Sequence, residues 1–169
     1  MAAALDDLVL GEDSDSLSLA TSAEQHRAAV ALTRQARRSV DIFSRDLDRK
    51  LYDQRDFLDA LRALATNRGQ VRILVKDSTA AVKNGHRLIA LSQRLTSFIE
   101  IRRAAEDYRE YNEAFLVADA TGYALRRHAD RFEGTVHFNA AKACRELLTF
   151  FNEVWRNSAP DPDLQRLYL

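Results

Sequence analysis

Tyr111-Asn112-Glu113-Ala114-Phe115-Leu116-Val117-Ala118-Asp119 is the stretch on which the reading of this chain turns. Ala114 to Ala118 are apolar at odd and even positions alike, which suits a strand covered on both faces rather than one at a sheet edge. Read as a strand from its polar start, it sends the side chains of Asn112 and Ala114 to one face. Asp119 falls five residues after Ala114, where the chain leaves the sheet.

Upstream, the pattern alternates between helical and extended. Thr21 with Glu24 three residues on has the form of a capping box, and Ala29, Leu32 and Ala36 follow at helical spacing. Val40 to Phe43 reads as a short strand and Ser44 to Asp48 as a loop. Asp53 is placed to cap a second helix with the stripe Phe57, Leu58, Leu61, Leu64 and Ala65, and Gly69 marks its end. Val71 to Val75 reads as a strand, Asp77 to Asn84 as a loop, His86 to Leu95 as a helix and Phe98 to Ile101 as a strand. Such alternation predicts crossover units and a largely parallel sheet. After the quoted stretch, Ala120-Thr121-Gly122 signals a turn and Tyr123 to Leu125 returns antiparallel. Arg126 to Gly134 is a charged loop and Thr135 to Phe138 a further strand. Asn139 is placed to cap a last helix bearing Cys144, Leu147, Leu148, Phe151 and Trp155, which Pro160 and Pro162 end.

The spacing Asn112-x-Ala114-x-x-x-x-Asp119 resembles the phospholipase D superfamily signature His-x-Lys-x-x-x-x-Asp, with only the aspartate retained. Gly134-Thr135-Val136-His137 stands where that family often has Gly-Ser-x-Asn, and Phe151 with Trp155 matches the Phe-x-x-x-Trp of its final helix. The resemblance covers residues 20 to 158. It implies an α/β fold, a phospholipase D-like three-layer α/β/α sandwich with a mixed, mainly parallel central sheet. It further implies a single-half bacterial member whose active site is built across a two-fold homodimer, with Asn112 facing its own copy. In that family the histidine is the nucleophile and the lysine holds the phosphate. An amide does neither reaction and alanine offers no cation, so a non-catalytic binding or interaction domain is expected.

Residues 1 to 20 are acidic and serine-rich, so disorder is an equal alternative to the short edge pairings that Leu17 to Leu19 would allow. The expected layout is that segment, a domain over 21–158 and a tail over 159–169, whose Tyr168 is an interface candidate. Twenty-five basic residues against 25 acidic ones leave no formal net charge. Nucleic acid is therefore not the expected partner, since phosphate neutralisation calls for a basic protein. No apolar run approaches a membrane span, the start lacks the pattern of a signal peptide, and one cysteine suits a reducing cytoplasm.

Ligand-binding candidates are Asn112, Asp119, Arg126, Arg127 and His137, with Arg45 and Arg131 extending a cationic rim suited to a phosphate-containing ligand. Their plain readings are a strand end, a turn cap, solvated loop charges and a packed histidine. His26, His86 and His128 lack companions at metal-ligand spacing, and no cofactor is expected. The rival expectations are a phosphodiesterase or nuclease with a relocated site built from His137, Asp119 and Arg127, or an accessory domain of a separate transferase.

Overall fold

A computed structural model describes residues 2–160 and 162–165. The chain runs α1 (Ala2–Asp7), β1 (Ser16–Leu19), α2 (Ser22–Gln35), β2 (Ser39–Ser44), α3 (Arg49–Tyr52), α4 (Arg55–Thr66), β3 (Gln70–Val75), α5 (Thr79–Lys83), α6 (Arg87–Arg94) and β4 (Ile99–Arg103). A 3₁₀ turn at Glu106–Tyr108 leads to β5 (Ala114–Ala118), β6 (Gly122–Arg126), β7 (Gly134–His137), α7 (Ala141–Arg156) and α8 (Pro162–Gln165). The expected tail beyond Gln165, Tyr168 included, lies outside the described residues.

Seven strands form one sheet in the order β1-β7-β6-β5-β2-β3-β4. Only β2–β3 and β3–β4 pair in parallel; the other four pairings are antiparallel. The expected parallel character thus holds for the half built from helix crossovers. The other half is antiparallel because β5, β6 and β7 follow one another through connections too short for a crossover. By direction, five strands still run one way, with β5 and β7 opposed.

Helices cover both faces, and side-chain alternation sorts the core in two. Val40, Ile42, Val71, Ile73, Leu116 and Ala118 meet Leu32, Phe57, Leu61 and Leu88 on one side. Phe43, Leu74, Phe115, Val117 and Tyr123 meet Cys144, Phe151 and Val154 of α7 on the other. The α7 side also carries Asp41, Arg72 and Glu100 in register on neighbouring strands. Arg72 donates to buried Asp41 at 2.7 Å, and burial pushes that carboxyl up while Arg72 draws it back. Phe151 and Trp155 stack on each other and roof the row, with the Arg72 and Arg102 guanidinium groups 4.9 and 4.2 Å from their rings. At the outer edge, Arg102 of β4 makes an isolated antiparallel bridge to Pro160.

In the acidic segment the edge pairing weighed against disorder is the one seen, with β1 on β7 at the sheet border and Leu5 of α1 buried. Several local expectations are corrected. Asp53 does not cap α4, whose N-cap is Gln54. It closes α3 instead and accepts from Arg49 at 3.2 Å and Arg87 at 2.7 Å. Asn139 is not the cap of α7, which is Ala140; its amide donates to Ser14. The loop expected at 77–84 contains α5, and the following helix is capped by the His86 ring, whose Nδ1 accepts from Leu88 N at 3.1 Å. After α4 the positive φ belongs to Arg68 rather than Gly69. Gly69 is needed for close approach, since a Cβ would lie 2.3 Å from Leu64 Cδ1.

Candidate functional site

β2, β3 and β4 end on the side of the sheet where β5 begins. β2 lies between a parallel and an antiparallel neighbour, so the chain reverses there, and in open α/β sheets this is where a crevice forms. The backbone is held by Lys76 N donating to Ser44 O at 3.0 Å, Asp77 N to Arg45 O at 2.8 Å and Ala104 N to Val75 O at 2.9 Å. Lys76 Nζ then reaches Tyr111 O at 2.6 Å, fixing the approach to β5. Burial lowers the Lys76 amine, and Arg45 adds to the shift while Glu110 opposes it. The Tyr111 ring wedges between Phe43 (5.0 Å) and Phe150 (4.2 Å), and burial raises its phenol.

Asn112 is exposed at this end and lies outside the strand, because β2 offers β5 no partner beyond Phe43↔Phe115. Its carbonyl accepts from Ala129 N at 2.8 Å, which brings the 127–133 loop alongside. Ala114 is 1% exposed and opposite Arg126 in the β5–β6 register. The two share a face, under α2 and α3. Arg126 is itself 4% exposed and donates to Ala129 O and Arg131 O, both at 3.2 Å. It is thus a buried brace for the loop, not part of an open rim. The space between Ala114, Arg126, Tyr52 and Gln25 is about 10 Å³, room for at most one water. Tyr52 is buried there, which raises its phenol, and Arg126 acts against that.

The remaining rim is solvated. Arg127 and Arg131 are exposed, Arg127 lies 3.9 Å from Glu113, and Arg45 pairs with Asp46 at 3.5 Å. His128 is exposed on the same loop, with no side-chain hydrogen bond to a carboxylate among the described residues.

Asp119 and His137 sit elsewhere. Asp119 is seven residues beyond Asn112, roughly 23 Å in an extended chain, at the far end of β5. Its φ is 55°, and Arg37 N (2.9 Å), Arg38 N (2.8 Å) and Ser39 N (3.0 Å) donate to its carboxylate. The aspartate ties the entry of β2 to the exit of β5. His137 lies at that same end, paired with Tyr123 and stacked on its ring at 5.2 Å. Tyr123 and Arg127 are separated along β6, so His137, Asp119 and Arg127 do not form one site. Gly134 is explained by packing: a Cβ would lie 2.2 Å from Leu125 O.

Among the described residues no group of three or more His, Cys, Asp or Glu could hold a metal ion. Cys144 is buried, which raises its thiol to about 12. Lys76 and His128 are the site residues that sequence reasoning missed. The signal for Lys76 was its place directly after an apolar strand; His128 had none, because its nearness to Asn112 depends on a loop contact. Together these groups present an amide, several cations and an unassisted imidazole, an array suited to holding an anion.

Residues 21–167 match the family model described as Domain of unknown function (DUF7931). No curated protein matches the chain. Among solved structures, the archaeal chromatin protein TrmBL2, described as showing a novel mode of DNA binding, is similar with a TM-score of 0.65 at 12% identity. The match covers 94% of this chain and 58% of that one. Nuc from Salmonella typhimurium, a phospholipase D family member, gives 0.65 at 13% identity, covering 88% of this chain and 99% of its own. NucT from Helicobacter pylori gives 0.59 at 10%, covering 87% and 99%. The chain spans little more than half of TrmBL2 and nearly all of Nuc and NucT. At such identities the likeness is one of fold, and the fold is phospholipase D-like.

Proposed function

The chain belongs to the DUF7931 family, and we propose that it is a non-catalytic phospholipase D-like binding domain acting through the end of the sheet that carries Asn112. The observation that carries this reading is the pair Asn112 and Ala114. At the two motif positions that need a nucleophile and a cation, this chain has a solvent-facing amide and a methyl group packed opposite Arg126. The amide donates and accepts hydrogen bonds but does not attack phosphorus near neutral pH. Of the cations at this end, Lys76 is bound to the neighbouring Tyr111 O at 2.6 Å, and Arg127 and Arg131 lie on the loop that Ala129 N ties to the Asn112 carbonyl, with Glu113 3.9 Å from Arg127. A phosphate-containing group is therefore the ligand class this end suits, and a homodimer placing two Asn112 residues about one axis would double that charge.

The test is a phosphodiesterase assay without metal, on a chromogenic diester and on DNA, for wild type, His128→Ala and His137→Ala. The expected result is no turnover by any of the three, with saturable binding of a phosphodiester analogue that Arg127→Ala weakens. Turnover in the wild type that disappears with either histidine overturns the reading. Chromatography with light scattering at high micromolar concentration tests the dimer, and a monomer there removes it.

A further inference from the structure

At the opposite end of the sheet, the loop Val9–Glu12, the last turns of α2 and α4 and the turn at Asp119–Thr121 enclose a groove of about 890 Å³. Leu10, Ala36, Ala60 and Leu64 give it an apolar lining. Arg34 and Arg37 line it too; both are exposed, and neither side chain is paired with an acidic group among the described residues. The acidic residues on the wall are Glu12 and Asp119, and Asp119 already has both carboxylate oxygens engaged by backbone amides. Thr33 also lines the groove. It is 1% exposed, and its Oγ1 is the one buried side-chain polar atom without a hydrogen-bond partner among the described residues.

A buried hydroxyl without a partner is costly and rare, and its presence beside a cavity calls for a ligand to satisfy it. Thr33 and Arg34 are neighbours in the last turn of α2 and Arg37 lies just past its extended C-cap Ala36, so the three bring a hydroxyl and two guanidinium forks to one groove. The carbonyl ends of α2 and α4 also open here and carry partial negative charge. The donors for an anion must therefore come from these side chains rather than from the backbone. We infer that this groove binds a small amphiphilic anion, its carboxylate or phosphate on Thr33, Arg34 and Arg37 and its apolar portion on Leu10, Ala36, Ala60 and Leu64. The site is independent of the Asn112 end.

The experiment is calorimetric titration of the full chain with octanoate and octyl phosphate, beside inorganic phosphate and octyl glucoside. Either amphiphilic anion is expected to bind at least tenfold more tightly than both controls, and the tighter of the two identifies the head group. Arg34→Ala with Arg37→Ala should weaken binding tenfold or more, with the melting temperature unchanged. Thr33→Val keeps the side-chain shape, so it should raise the melting temperature of the free protein and weaken binding about fivefold. Binding by none of the probes overturns the proposal, as does equal binding by either control. So does unchanged affinity in either variant.

Discussion

Placing lysine at position 114 tests whether this end of the sheet has room for a cation where the phospholipase D signature carries one. Ala114 is 1% exposed and its register partner Arg126 is 4% exposed, with about 10 Å³ of free space between them. Overpacking of that kind costs about 1–3 kcal/mol. Directly opposed side chains lie about 6 Å apart, and two like charges at that distance in an effective dielectric of 20 repel by about 3 kcal/mol. The total of about 4–6 kcal/mol is a large part of a domain stability of roughly 5–15 kcal/mol. It corresponds to a fall of roughly 8–24 °C in melting temperature. Urea unfolding of Ala114→Lys beside Ala114→Met separates the two contributions, since methionine adds similar length without charge. At pH 7 lysine should cost about 3 kcal/mol more than methionine. The gap should narrow as pH rises toward the ordinary lysine pKa of about 10.4 and close above it, because the crowded amine loses its proton first in the folded state. A lysine variant no less stable than the methionine variant at pH 7 would refute the claim that the buried Arg126 guanidinium faces position 114 with no room for a second cation.

Asp119→Ala removes the acceptor of three backbone amides and should cost about 2–4 kcal/mol in urea unfolding. Asp119→Asn, which keeps one oxygen, should cost less. His86 is buried, and burial lowers its pKa despite the pull of Asp53. A group whose folded pKa lies below its unfolded value contributes stability above the unfolded pKa, and that stability is lost as protons bind the unfolded chain. Thermal stability should therefore fall as pH drops below about 6.5, more steeply in wild type than in His86→Asn. Cys144, buried with its thiol raised to about 12, should resist a disulfide-exchange reagent at pH 8 in the folded protein and react at once in urea.

What was legible in the sequence was local or periodic. The Thr21 capping box forms as its spacing predicts, with Glu24 N donating to Thr21 Oγ1 at 3.1 Å. The mainly apolar stretches at 40–43, 71–75 and 114–118, broken only by Asp41 and Arg72, form three adjacent strands because a strand with apolar residues on both faces must be covered twice. What was missed depends on partners far away in sequence. The four-residue α3 and five-residue α5 have no hydrophobic period long enough to read; Asp53, which closes α3, is bound by Arg87, and His86 N donates back to Ala81 O of α5 at 3.0 Å. The polar start at Asn112 continues the strand pattern in sequence, and composition cannot show that the neighbouring strand has already ended. Arg126 looked like a loop charge, since its burial follows from the register with Ala114 and from carbonyls that only the folded loop presents.

The bridge between Arg102 and Pro160 concerns the protein's behaviour in concentrated solution. Among the described residues no strand pairs with the outer side of β4, and such a border is a template on which a second molecule can add its own strand. Proline has no amide hydrogen, so the segment that reaches Arg102 cannot extend the ladder outward through that residue. Pro160 thus acts as a stopper on the sheet, and a chain cut before it would be expected to self-associate through β4 while keeping its fold.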